Sequence, residues 1–277
     1  MMNAAHSIRR LFFLLVIGVA AGAAFAAEPE TLIIARTGSL PILLTVPHGG
    51  AEAIPGVPVR GRGITGTDTY TIELAETVAK HLEHALGAQP YLVAARFSRK
   101  YIDANRAETE AIESPDAKPA YDAYHNRIRL FIAQIRERFP QGAVLLDVHG
   151  QAGDPGALHR GTQNGATVEG LLRRHGAAAL TGPNSIFGAV ASKGYKIFPP
   201  PNTTLGHPPE DRRYNGGFTV RTYGGGAQGL AAIQLEVGRD LRNDAQFMAA
   251  LGEAIVVFYR TYLVSSAPQR AGPVEKQ

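Results

Sequence analysis

The chain contains no cysteine, which excludes disulfides and lipid-modified thiols and leaves its stability to core packing. It also lacks a strong charge of either sign. There are 28 basic and 24 acidic side chains; setting aside residues 1–26, which hold Arg9 and Arg10 and no acid, leaves 26 against 24. That surplus, with no Lys/Arg cluster interleaved with aromatics, gives no case for a nucleic-acid partner. There is no internal repeat, no Gly-x-Ser-x-Gly elbow, no phosphate-cradling Gly-Lys-Ser/Thr loop and no His-Glu-x-x-His helix.

One long apolar run is present, and it stands at the start. Arg9 and Arg10 precede Leu11 to Ala21, and Ala24-Phe25-Ala26 follows with small residues at cleavage positions. This three-part layout predicts a secretory signal peptide over 1–26, with an uncleaved anchor as the alternative. The run is short for a membrane span. The expected mature protein is periplasmic or secreted, with no membrane contact after cleavage. Its roughly 250 residues suit one α/β domain over 27–264, with a polar, disordered tail over 265–277. Its 31 glycines and 18 prolines concentrate in connections, which predicts long, shaped loops.

Strands are predicted at Thr31–Ala35, Pro41–Val46, Pro90–Ala95, Ala143–Val148 and Leu230–Val237. Helices are predicted at Asp68–Leu86 (capped by Thr67 or Asp68), Ala120–Phe139, Val168–Leu180 and Asp244–Leu263. The stretch 182–226 is poor in periodic segments, and a long loop inside a domain is more often functional than idle. Strands alternating with helices predict a mainly parallel mixed sheet flanked by helices, with ligands gathered beyond the carboxyl ends of the strands.

His48 (in Pro47-His48-Gly49-Gly50), His149 (in Asp147-Val148-His149-Gly150) and Glu236 fall at or near such ends. One strand-end histidine alone reads as a hydrogen-bonded structural residue. Two, with a nearby acid, make the three-ligand set of a hydrolytic zinc site that keeps one position for water. Asp68, opening the first helix, and its rival Glu52, four residues past His48, are the candidate third ligands. Asp147 lies on the same side of its strand as His149 and can orient it. Glu236 is the candidate general base. Arg99, Asp103, Asn105 and Arg106 form a polar cluster that reads either as a charge-paired loop or as a fork for a substrate carboxylate. The stretch holding Asn215, Gly216, Gly217 and Arg221 adds backbone donors and another cation. His81, His84, His125 and His175 read as solvated; for His159 and His207 a substrate contact stays open.

In this order the pieces resemble the N-formylglutamate amidohydrolase family. Its pattern runs Pro-His-x-Gly, Thr-Asp, Arg-x-x-x-Asp-x-Asn-Arg, Asp-x-His, Gly-Gly-x-x-x-Arg-x-Tyr-Gly and Gln-x-Glu. Pro47 to Gly50, Thr67-Asp68, Arg99 to Arg106, Asp147 to His149, Gly216 to Gly224 and Gln234 to Glu236 match it. The turn after Asp68 departs from it, reading Thr-Tyr-Thr-Ile. The resemblance implies a zinc carboxypeptidase-like (phosphorylase/hydrolase-like) fold. It also implies Zn2+ held by His48, Asp68 and His149, Glu236 as base, and Asn105 with Arg106 holding the carboxylate of a small substrate. Two other readings remain: export suggests a cell-wall peptide amidase or carboxypeptidase, and a periplasmic binding protein would keep the pocket without catalysis.

Overall fold

Short apolar runs, covered on both faces, make the middle of a seven-stranded mixed sheet. The computed structural model describes residues 28–225 and 230–264; the expected signal peptide and tail lie outside them. The strands are β1 (Ile33–Arg36), β2 (Ile42–Val46), β3 (Tyr91–Ala95), β4 (Val144–Gln151), β5 (Ala157–Gly161), β6 (Lys196–Phe198) and β7 (Ala231–Gly238). They lie in the order β1-β3-β2-β4-β7-β5-β6. β3, β2, β4 and β7 are parallel neighbours, β1 runs antiparallel to β3, and β5 runs antiparallel to β7 with β6 beside it. The centre is therefore parallel as expected, and the sheet is mixed at both margins.

The helices are α1 (Thr71–Leu86), α2 (Glu108–Ala111), α3 (Lys118–Arg138), α4 (Glu169–His175), α5 (Ala178–Thr181), α6 (Ile186–Ala191), α7 (Phe218–Tyr223) and α8 (Ala245–Phe258). α1, α6 and α8 cover one face, against Leu44, Val46, Leu146, Val148, Leu235 and Val237. α3 covers the other, laying Tyr124, Ile128, Phe131 and Ile135 against Leu43, Val93 and Leu145. Buried side chains of this size contribute about 1.5–3 kcal/mol each. Among the described residues no helix is long and apolar enough to cross a membrane.

Three local expectations change. The helix expected over Val168–Leu180 is two short helices interrupted at Gly176. β5 and β6 went unseen because they are brief and depend on pairing with distant strands. α1 starts at Thr71 after Tyr70, whose φ is 65°, and neither Thr67 nor Asp68 caps it with a side chain. Asp68 instead takes its backbone N–H to the carbonyl of His48 at 3.0 Å, and Thr71 Oγ1 donates to the Asp68 carbonyl at 2.7 Å. Its carboxylate is thereby free to turn toward the histidines. At the other end of the domain Asp244 does cap α8, accepting from Gln246 N at 2.8 Å.

Candidate metal and active site

Alternation along β4 builds the site. Leu146 and Val148 face α1 and α8, so Leu145, Asp147 and His149 face the α3 side. Register extends this row across the sheet: Thr45 pairs with Asp147, Asp147 with Gln234, and His149 with Glu236. His48 joins it from the turn just after β2.

The two imidazoles meet edge to face, with ring centroids 4.9 Å apart. Asp68 Oδ2 lies 3.5 Å from His48 Nδ1 and 3.4 Å from His149 Nδ1. One ligand atom from each residue falls within 4.8 Å of the others. The far side of each ring is anchored. Nε2 of His48 donates to Asp103 Oδ1 at 2.7 Å and Nε2 of His149 to Asp147 Oδ2 at 2.9 Å. The contacts of Nε2 are the shorter ones, so the neutral rings carry their proton on Nε2, toward Asp103 and Asp147, and turn the Nδ1 lone pair to the side of Asp68, where a cation would sit. The anchors are themselves held: Arg99 donates to Asp103 Oδ2 through Nε and Nη2 at 3.0 and 2.8 Å, and Thr45 Oγ1 donates to Asp147 Oδ1 at 2.6 Å. His48 Nδ1 is buried without a hydrogen-bond partner. Two nitrogens and a carboxylate oxygen converging in this way fit a divalent cation of the zinc type.

Electrostatics supports the same geometry. Burial opposes the charge on Asp68, but its contacts with His149 and His48 hold the carboxyl well below the usual range. Asp103 follows suit: His48 and Arg99 outweigh its burial. Burial would lower the pKa of His149, yet Asp147 and Asp68 raise it well above the ordinary value, so a cation competes with a proton for Nδ1. Glu236 goes the opposite way. Burial pushes its carboxyl up to about 7, with the negative Asp68 and Asp147 adding to the rise and His149 opposing it.

A cavity of about 420 Å³ opens onto this cluster. Arg106, Arg212 and Arg221 reach it with no carboxylate partner among the described residues, whereas Arg213 is paired with Asp211. Its far wall is the loop 212–217. Gly217 N donates to Gln234 Oε1 at 2.7 Å, and Gln234 Nε2 donates to Glu236 Oε1 at 2.9 Å. A Cβ on Gly217 would stand 2.0 Å from Asn105 Nδ2, so only glycine lets this loop close onto the site.

Residues 117–242 match the family model of N-formylglutamate amidohydrolase. Within that stretch lie β4 to β7, His149 and Glu236, so the family resemblance carried by the motifs is borne out and the chain is a hydrolase of amide C–N bonds. No curated protein matches this chain. Among solved structures it is similar to the N-formylglutamate amidohydrolase of Ralstonia eutropha JMP134, at 18% identity and a TM-score of 0.57, over 82% of this chain and 96% of that one. A gene product of Agrobacterium tumefaciens is similar at 14% identity and a TM-score of 0.56, over 85% and 96% of the two chains. At such identities the likeness is one of fold.

The structure brings His48, Asp68, His149 and Glu236 together, and Asn105, Arg106, Asn215 and Arg221 line the same cavity. Glu52 is elsewhere: it is exposed and lies 3.7 Å from Arg96. Arg99 reaches the cavity, but its fork belongs to Asp103. Asn105 is also committed, accepting from Thr219 N at 2.8 Å with its Nδ2 3.2 Å from His149 Nε2. The expectation of solvated histidines holds for His84 only. His81 and His175 are half-buried, and His125 is buried among Tyr121, Tyr124, Phe218 and Tyr223, with Nδ1 2.8 Å from the Tyr223 hydroxyl. Burial lowers the pKa of His125 to about 4, so it is a neutral core histidine. His159 is buried against Tyr214 and Phe198, and His207 is exposed. Sequence reasoning missed Arg212 and the role of Gln234. It also read Asp103 as a loop charge rather than as the anchor of His48; the signal was its place in the same polar cluster as Arg99.

Proposed function

We propose that the chain is an exported, zinc-dependent amidohydrolase cleaving the amide of an N-acyl amino acid or short carboxylate-bearing peptide, N-formyl substrates included. The observation that carries this reading is the convergence of two anchored Nδ1 atoms on Asp68 Oδ2, with Glu236 beside His149 in the strand register. His48, His149 and Asp68 would hold the ion. Bound zinc supplies Lewis-acid polarisation of the amide carbonyl and brings the pKa of the attacking water to about 7.

The chain's own residues do the rest. Glu236, as a carboxylate, takes the proton of the attacking water and returns it to the leaving amine nitrogen; its pKa of about 7 suits both steps. Arg106 and Arg221, with Arg212, hold the substrate carboxylate. Asn215 sits in the loop that closes over it, fastened by Gln163 N donating to the Asn215 carbonyl at 2.7 Å.

Glu236→Gln is expected to keep its metal and lose about 10²–10⁴ in turnover on a panel of N-formyl amino acids, N-acetyl amino acids and muropeptides. A near-native rate would remove Glu236 from the mechanism, and unchanged metal content in His48→Ala would overturn the ligand set. The active arm of the panel assigns the substrate class. Export rests on the pattern of residues 1–26, and N-terminal sequencing of the protein recovered from fractionated cells tests it; an intact leader on a cytoplasmic protein overturns it.

A further inference from the structure

Arg242 follows β7, lies outside every motif of the family pattern and does not line the cavity. It is nevertheless 5% exposed. Its Nη1 donates to the carbonyl of Thr69 at 3.1 Å, the residue next to Asp68, while its buried Nε has no partner. The guanidinium passes beneath Gly150. A Cβ there would stand 2.1 Å from Nη1 and 2.7 Å from Cζ. Gly150 in turn donates its N–H to Asp68 Oδ2 at 3.0 Å. One buried cation thus touches the backbone on both sides of Asp68: the turn that delivers the carboxylate and the residue that orients it. Its burial disfavours the charge, and Asp68 and Glu236 are the acids that favour it.

We propose that Arg242 is a positioning residue of the metal site, clamping the Asp68–Thr69 turn against Gly150 so that Asp68 Oδ2 faces both histidines. This rests on the metal-site reading above. Removing a group that orients a ligand costs about 10–100-fold in metal affinity. Arg242→Met keeps the volume and loses the fork, and Gly150→Ala keeps Arg242 but pushes its guanidinium off Thr69.

The test is calorimetric titration of the chelator-stripped, folded full chain with Zn2+ alone, beside thermal melting in chelator. Arg242→Met and Gly150→Ala are each expected to weaken zinc binding by about 10–100-fold. Arg242→Lys is expected to recover part of the loss. The double variant should be no worse than Arg242→Met, because the new methyl then meets no guanidinium. Wild-type zinc affinity in Arg242→Met, or additive losses in the double variant, overturns the proposal; so does a lowered melting point with affinity unmoved, which marks a merely structural residue. Should Arg242→Met fail to fold, Gly150→Ala decides alone. If the wild type itself takes no zinc, the metal-site reading fails and this proposal with it; if the wild type binds and the variants bind equally, only this proposal fails.

Discussion

The two faces of the central sheet differ along their length. Toward α1 and α8, β4 and β7 stay apolar to their carboxyl ends, through Val148, Leu235 and Val237. Toward α3, the same strands begin with Leu145 and Ala232 and end with Asp147, His149, Gln234 and Glu236. One face is therefore a continuous core, and the other is a core for half its length and a polar site for the rest. The polar half is tolerable because its groups are paired: Thr45 with Asp147, Asp103 with His48, Gln234 with Glu236. His48 Nδ1, which has no hydrogen-bond partner, and the buried Glu236 carboxyl, which only the neutral amide of Gln234 steadies, are what the proposed chemistry uses.

Breaking the apolar face should cost stability and leave the site intact. Leu146→Ala, at a residue with no exposed surface, is expected to destabilise by about 2–5 kcal/mol in denaturant unfolding, with metal content unchanged. Loss of metal in the folded variant would show that the two faces are not separable.

The polar face should respond to pH. Burial raises the Glu236 carboxyl from 4.5 to about 7. The stability it contributes is fully present below its unfolded value and is lost as pH rises through about 7. In chelator, Glu236→Gln should therefore be the more stable protein at about pH 8, by up to about 3 kcal/mol, and hold no such advantage at about pH 4. Equal melting curves at both pH values would contradict a carboxyl whose charge burial disfavours.

Smaller effects sharpen the comparison. Asp103→Asn is expected to weaken metal binding by about 10–100-fold with little change in unfolding midpoint, read by metal titration of the folded protein. Arg221→Ala is expected to raise KM by about tenfold, with kcat nearly unchanged, if its role is uniform binding of a carboxylate. A fall in kcat with KM unmoved would place Arg221 in the chemistry instead.

Much of this was legible along the chain. The parallel core strands were readable because β2, β3, β4 and β7 are short, mostly apolar runs, and burial on both faces imposes that pattern locally. His48, His149 and Glu236 were readable because each falls at or just past the end of such a run. β5 and β6 were not, since their register comes from pairing with β7 and with each other. His125 looked solvated on a polar stretch of α3, and only packing shows the four aromatic rings around it. The choice between Asp68 and Glu52 was open for the same reason: both acids follow His48 in the chain, and the distance that matters runs through space.

Sequence alone determined the alternation of apolar and polar residues, and with it the strands, their carboxyl ends and the residue types able to bind metal and move protons. Tertiary structure decided which carboxylate meets which imidazole nitrogen. It turned Asp68 inward, set Asp103 behind His48 and laid the guanidinium of Arg242 under Gly150. The reason is that side-chain period is a local property of a strand, whereas a three-residue ligand set is closed by contacts between segments far apart in the chain.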